Sequence, residues 1–187
     1  INPYLNALRM SASFIFYRLI WDLHPYSWPS RKRIKQFKNI HQGEKAVILC
    51  NGPSLNTVDF NLLENSNIFT FGLNKINLLF DTSTLRPSVI VSVNPLVIQQ
   101  NAEFYNSTSI PLFLDSPGTK LVKLRDNVAF LHTALGRERQ FAGDCSFSIY
   151  QGYTVTYVAL QLAFHMGFKQ VALVGCDHSF TSKGPAN

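Results

Sequence analysis

Apolar residues fall along the chain in short, nearly unbroken runs at residues 45–50, 68–73, 88–93, 110–114, 128–131 and 170–174. Their brevity and β-branched, aromatic content predict strands, and the near absence of polar alternation predicts strands covered on both faces. Helical periodicity occupies several of the intervals, at 75–80, 95–105 and 154–166. The last is the clearest, because Val155, Val158, Ala159, Leu162, Ala163 and Met166 form one stripe and Gly167 follows as a C-cap. Strands alternating with helices predict an α/β fold: a Rossmann-like, doubly wound, mostly parallel sheet with helices on both faces and right-handed crossovers.

Ahead of the first strand the pattern changes. Leu5, Leu8, Ala12, Ile15 and Leu19 recur at helical spacing, with Phe14, Tyr17 and Trp21 widening the apolar face, which predicts a helix over 4–23 that ends near His24-Pro25. A basic stretch follows to Gly43, with a short helix expected from Ser30. The chain therefore divides into a basic, aromatic helical appendage at 1–43 and a nucleotide-binding type of domain at 44–187. The polar ending at Asn187 predicts that the second is truncated at its C-terminus.

A length of 187 residues suits one domain plus an appendage, and 46% hydrophobic against 15% charged residues describes a packed protein rather than a disordered one. The net charge of +6 changes the picture only at the N-terminus, because residues 1–50 hold eight basic residues against two acidic ones and the remainder balances. This balance argues against a bulk polyanion-binding surface across the domain, any anionic partner or membrane surface is expected to meet the N-terminal segment, and no nucleic-acid partner is expected. The three cysteines lack CxxC spacing, which argues against a disulfide framework or zinc site and for a reducing, cytoplasmic setting. The apolar stretch between Arg9 and Arg18 is too short to span a bilayer. Two partners fit residues 1–40: a peripheral contact with the inner membrane face, or a homo-oligomer.

Open parallel sheets bind ligands outside the carboxyl ends of their strands. After the first strand stands Asn51-Gly52-Pro53-Ser54, where Gly52 allows close approach, Pro53 fixes the backbone, Asn51 and Ser54 offer hydrogen bonds, and a helix from near Asp59 could add backbone N–H groups. Asn74 and Asn94 end the second and third strands with carboxamides that can meet a base or sugar, although turn formation or helix capping explains each alone. Gly175, Asp177 and His178 follow the last strand, and an aspartate beside a histidine is the candidate catalytic pair. Thr154 and Thr156 open the amphipathic helix and can turn hydroxyls to the same crevice, while Arg137 and Arg139 could clamp an anion from a loop. No HxH, HExxH, DxD or GxSxG spacing is present, so no protein-held metal is expected.

The order of these motifs resembles the MptE-like family over residues 45–180: Asn51-Gly52-Pro53-Ser54-Leu55, Leu73-Asn74, Val93-Asn94-Pro95, and the run from Thr154 through Gly167-Phe168-Lys169 to Gly175-Cys176-Asp177-His178-Ser179-Phe180. That family is named for a 6-hydroxymethyl-dihydropterin pyrophosphokinase and has members among surface-polysaccharide proteins. The order is similar, more distantly, to bacterial sialyltransferases of glycosyltransferase family 42. That similarity implies that Asn51, Gly52, Ser54, Asn74 and Asn94 contact a nucleotide or donor sugar, Thr154 and Thr156 lie by the base or ribose, and Gly175 and Asp177 line the crevice. Those enzymes carry tyrosines after the aspartate, where this chain has His178, Ser179 and Phe180, so sialyl transfer specifically is not implied. The resemblances imply a nucleotide-dependent transferase, glycosyltransferase-like, acting in cell-surface glycan assembly. No tightly bound cofactor is expected; a nucleotide sugar, CMP-linked on the second similarity, is the substrate, with a glycan or small alcohol as acceptor. Two alternatives stay open. One is a diphosphokinase passing diphosphate from ATP to a hydroxymethylpterin-like alcohol, with Mg²⁺ near Asp177 and Asn94; the other is a non-catalytic nucleotide-binding module.

Overall fold

Each apolar run forms a strand of one sheet. The computed structural model describes residues 3–134 and 140–177. In chain order the elements are helices α1 (Pro3–Leu23) and α2 (Ser27–Gln36), β1 (Lys45–Leu49), α3 (Phe60–Asn65), β2 (Phe69–Leu73), β3 (Val89–Ser92), α4 (Pro95–Gln100), α5 (Ala102–Ser107), β4 (Leu112–Asp115), β5 (Val128–Leu131), α6 (Val155–Met166) and β6 (Gln170–Val174). Three 3₁₀ turns, Pro53–Thr57, Ile76–Asp81 and Ser116–Lys120, follow β1, β2 and β4.

The strand order is β5-β4-β3-β2-β1-β6 and every neighbouring pair is parallel. The chain steps outward from β1 to β5 and then returns to lay β6 on the other side of β1, with Val47 beside both Thr70 and Ala172. The winding reverses between β1 and β6, and loops leaving a parallel sheet there diverge to opposite faces, which opens a crevice.

Alternate residues of each strand supply two cores. Ile48, Phe71, Val91 and Phe113 meet the α6 stripe of Val158, Ala159, Leu162 and Met166. Leu49, Ile90, Leu114 and Phe130 meet Leu55, Ile76, Ile98 and Tyr105 on the other side. The doubly wound α/β arrangement expected from the pattern is therefore the one observed. Helix α6 starts at Thr154, whose side chain accepts from the Tyr157 N–H, and ends at Gly167 in the left-handed conformation with φ 92°.

Three details depart from the pattern. The 75–80 segment is a 3₁₀ turn, and the 95–105 helix breaks at Asn101, whose side chain exchanges hydrogen bonds of 2.9 and 3.2 Å with Asn77. Among the described residues β6 is the last strand on its side of the sheet, with Leu173 46% exposed.

Helix α2 covers the opposite edge of the sheet. Ser30 Oγ accepts from the Phe130 N–H at 3.0 Å, and the Arg33 guanidinium donates to the carbonyls of Arg125 and Val128, so polar groups of β5 that no strand pairs are satisfied by side chains. His165 joins α6 to α2. Its Nδ1 accepts from the Cys145 N–H while its Nε2 lies 2.9 Å from the Ile34 carbonyl, an arrangement that needs the neutral tautomer with the proton on Nε2. Helix α1 is where the pattern places it, but the Trp21 edge of the expected apolar face, not its central stripe, turns inward. Trp21 is buried, and Arg18 bonds Asp22, the Phe147 carbonyl and Ser148, whereas Ile15 and Leu19 of the predicted stripe face outward. Trp21 buries the larger apolar surface, and only the face carrying it also lets Arg18 reach partners.

Candidate functional site

The site is built on the reversal point of the sheet. Cys50 continues the β1 ladder by donating to the Val174 carbonyl at 2.8 Å, and the Gly52 N–H donates to the Gly175 carbonyl at 2.9 Å. Both glycines are required by this contact. A Cβ on Gly52 would overlap Asp177 Oδ2, and one on Gly175, where φ is 73°, would stand 2.6 Å from the Cys50 carbonyl. The close approach anticipated for a ligand at Gly52 is thus made by the protein's own β6 loop.

Pro53 opens the 3₁₀ turn, and Asp177 secures it by accepting from the Ser54 N–H at 2.7 Å. Asp59 caps α3 one turn later by accepting from the Leu62 N–H. Asn51 ties β1 to β2 by donating to the Leu73 carbonyl at 3.0 Å. Asn74 adopts φ 50°, accepts from Ser92 Oγ through its side chain and from the Tyr105 hydroxyl through its carbonyl. Asn94 caps α4 by accepting from the Leu96 N–H. Asparagine fits these positions because it tolerates the left-handed region and can mimic backbone groups.

Thr154 and Thr156 reach the same edge. Thr156 Oγ1 lies 3.7 Å from Cys50 Sγ, which puts the α6 N-terminus over the β1 end. Cys50 and Cys176, distant in sequence, bring their sulfurs to 2.8 Å. Burial first, and the hydrogen bond with Cys176 second, push the Cys50 thiol up to about 12. This environment favours the neutral thiol of Cys50 at neutral pH. Just before α6, Tyr153 holds φ 66° and is 87% exposed. A bulky left-handed residue so placed is a strained position of the kind that clusters at ligand sites.

Asn51, Gly52, Pro53, Ser54, Thr154, Thr156, Gly175 and Asp177 thus converge on the β1–β6 end. Asn74 and Asn94 continue the row along β2 and β3. His178, Arg137 and Arg139 lie outside the described residues. Asn94 follows β3, and Asp177, which follows β6, reaches across to the β1 turn through the Ser54 N–H. Among the described residues no group of three or more His, Cys, Asp or Glu is assembled.

The row has one more member, which the strand-end amides alone do not reveal. Asp115 ends β4 and is 5% exposed; it accepts from Ser116 N, Thr133 Oγ1 and Gln151 Nε2 at 2.9, 2.8 and 2.9 Å. Burial outweighs these bonds and raises its carboxyl to about 6. The signal in the sequence is the first charged residue after an apolar run, at the same strand-end position as Asn74 and Asn94.

Comparison with known proteins adds the following. A family model described as 6-hydroxymethylpterin diphosphokinase MptE-like matches residues 26–183. Among solved structures, the MAf glycosyltransferase from Magnetospirillum magneticum AMB-1 superimposes with a TM-score of 0.54 at 16% identity, over 83% of this chain and 28% of that one. The chain spans just over a quarter of that protein, and the likeness is one of fold. No curated protein matches the sequence.

Proposed function

This chain belongs to the MptE-like family, and from that premise we propose that it is the nucleotide-binding part of a glycosyltransferase-like enzyme that uses a nucleotide-linked sugar donor in cell-surface glycan assembly. The family description and the name of the structural neighbour both denote transferases, which supports the coarser reading of a transferase-like role. The observation that carries the finer one is the convergence of the β1 turn, the β6 turn and the α6 N-terminus at the reversal point.

A donor phosphate fits beside the α6 N-terminus, where unpaired N–H groups and the helix dipole favour negative charge. Asp177 acts there as a positioning residue, holding the Pro53–Thr57 turn through the Ser54 N–H. Asn74 and Asn94 present amides along the path of the sugar. Catalysis on this reading is chiefly orientation and stabilisation of the leaving phosphate. The diphosphokinase reading takes its support from the family description, and in it Asp177 and Asn94 would be the residues to hold a Mg²⁺ that would neutralise charge on the phosphates of ATP.

A thermal-shift panel of CMP, UDP, GDP, ATP and CMP-sugars, each with and without Mg²⁺, separates the readings. A ligand at a hundred times its Kd stabilises the native state by about 2.7 kcal/mol. A selective rise with one pyrimidine or guanine nucleotide is expected. A rise confined to ATP with Mg²⁺, followed by diphosphate transfer to a hydroxymethylpterin, would replace it with the diphosphokinase reading.

A further inference from the structure

A pocket of about 600 Å³ opens at the carboxyl ends of β4 and β5, under α1. Its volume lies in the range of small-molecule sites. It stands three strands from β1, so it is distinct from the reversal-point crevice yet on the same edge of the sheet.

One wall is aromatic. Trp21 packs parallel to His132, with centroids 6.2 Å apart and planes 4° from parallel, and Tyr17 stands half-exposed at the mouth. Burial first, then the Arg18 charge, lowers His132 to about 4, so at neutral pH this ring is uncharged and part of an apolar surface. The floor is polar and rich in acceptors. Asp115 takes three hydrogen bonds and a carboxylate has about four acceptor positions, so it can take another. Gln151 Nε2 is directed at Asp115 and Thr133, which leaves its carbonyl as a further acceptor. A ligand matched to this lining has an apolar ring face and several hydroxyl donors; at the floor the carboxylate disfavours an anion, and Lys120 at the rim supplies a balancing cation. A nucleotide phosphate does not meet that description; a neutral pyranose does.

We propose that this pocket binds a neutral saccharide ring, its apolar face against the Tyr17 and His132 rings beside the buried Trp21, with a ring hydroxyl donating to Asp115. The identification of that sugar as the transfer acceptor rests on the function proposed above; the binding itself does not.

The chain has two tryptophans, so Trp28→Phe leaves Trp21 as the only one and its fluorescence as the probe. Glucose, galactose and N-acetylglucosamine are titrated against it, with N-acetylneuraminate as the anionic comparison. At least one neutral sugar is expected to change the emission saturably. Asp115→Asn, which keeps shape and removes charge, should weaken it about tenfold, the difference between a charged and a neutral hydrogen bond. Thr119→Phe, which fills the pocket from its rim without adding a tryptophan, should abolish it. Absence of any saturable response, preference for the anion, or unchanged affinity in both variants overturns the proposal. Calorimetry with CMP, UDP, GDP and ATP on the same protein keeps the two ideas apart: sugar binding without binding of any nucleotide supports this site and defeats the donor crevice, and the reverse defeats this site alone.

Discussion

Asp115 and His132 share a pocket and are shifted in opposite senses, Asp115 up from 3.8 to about 6 and His132 down from 6.5 to about 4. Between those limits the native state holds a proton on Asp115 that the unfolded chain has released, so this group makes stability fall as pH rises. His132 is native-neutral where the unfolded imidazole is charged, so it makes stability rise over nearly the same window. The two slopes oppose each other, with Lys120 at the pocket rim and Arg18 and Asp22 the nearby charges. Asp144, lowered to about 2, acts mainly at more acid pH. Denaturant unfolding of the parent is therefore expected to vary little from pH 4 to 6. Asp115→Asn should be more stable at pH 7 by up to roughly 3 kcal/mol, the free energy of holding a carboxyl at about 6 instead of 3.8, and should gain stability as pH climbs from 4 to 6.5. An unchanged, flat profile in the variant would show that Asp115 ionises normally. At this scale the sequence is partly legible. Strand-end position picks out Asn51, Asn74 and Asn94, but that each also ties strand ends together or caps a helix depends on partners on a neighbouring strand or in the next turn. Asp115 escapes that reading because a carboxylate after a strand looks like a solvated turn residue until Thr133 and Gln151 are seen to cover it.

Helix α6 shows how an element carries the site as well as the core. Gln161 is fully buried, and its side chain accepts from the Ala142 and Tyr150 N–H groups and donates to the Tyr150 and Tyr157 carbonyls. This side chain pins the segment that delivers Gln151 to the pocket and Tyr153 to the α6 N-terminus. Gln161→Leu keeps most of the volume and orphans buried groups of Ala142 and Tyr150, at about 1–3 kcal/mol each. Urea unfolding is expected to show a loss of several kcal/mol, together with faster amide exchange at Ala142 and Tyr150; a loss under about 1 kcal/mol, the low end of that range, would mean that this loop finds other partners. The strands are readable because a strand covered on both faces must be apolar at nearly every position, as in the buried β3, β4 and β5. The same logic misjudges β6, which is equally apolar but, among the described residues, the last strand on its side of the sheet. Composition records what a strand can bury, and strand order decides what covers it. The facing of α1 is unreadable for a related reason, since its sequence is apolar on more than one side and the choice rests on Arg18 and Trp21 finding partners in the domain.

At the scale of the molecule, the excess positive charge and a cluster of exposed apolar side chains both lie on the N-terminal helices. Ile15, Phe16, Leu19, Ile20 and Leu23 of α1 are each at least half exposed, Trp28 projects from α2, and Lys32 and Lys35 stand exposed beside it. No helix among the described residues is long and apolar enough to cross a membrane. A surface that pairs apolar side chains with cations matches an anionic membrane interface. The chain is expected to float with phosphatidylglycerol vesicles, less so at high salt, and Phe16→Glu with Leu19→Glu should abolish flotation without unfolding the domain. Failure to float, with sedimentation as a dimer that the same substitutions dissociate, would assign the face to a second copy. Such a contact would hold the strand-end edge near glycan acceptors, but the proposed function stands or falls on the crevice at the sheet's reversal point. The most direct test is amide-resolved NMR of the chain titrated with CMP, UDP, GDP and ATP. One nucleotide is expected to shift the amides of Asn51, Ser54, Leu55, Val155, Thr156, Gly175 and Asp177 together and saturably; shifts confined to other surfaces, or none with any nucleotide, would contradict a donor site there.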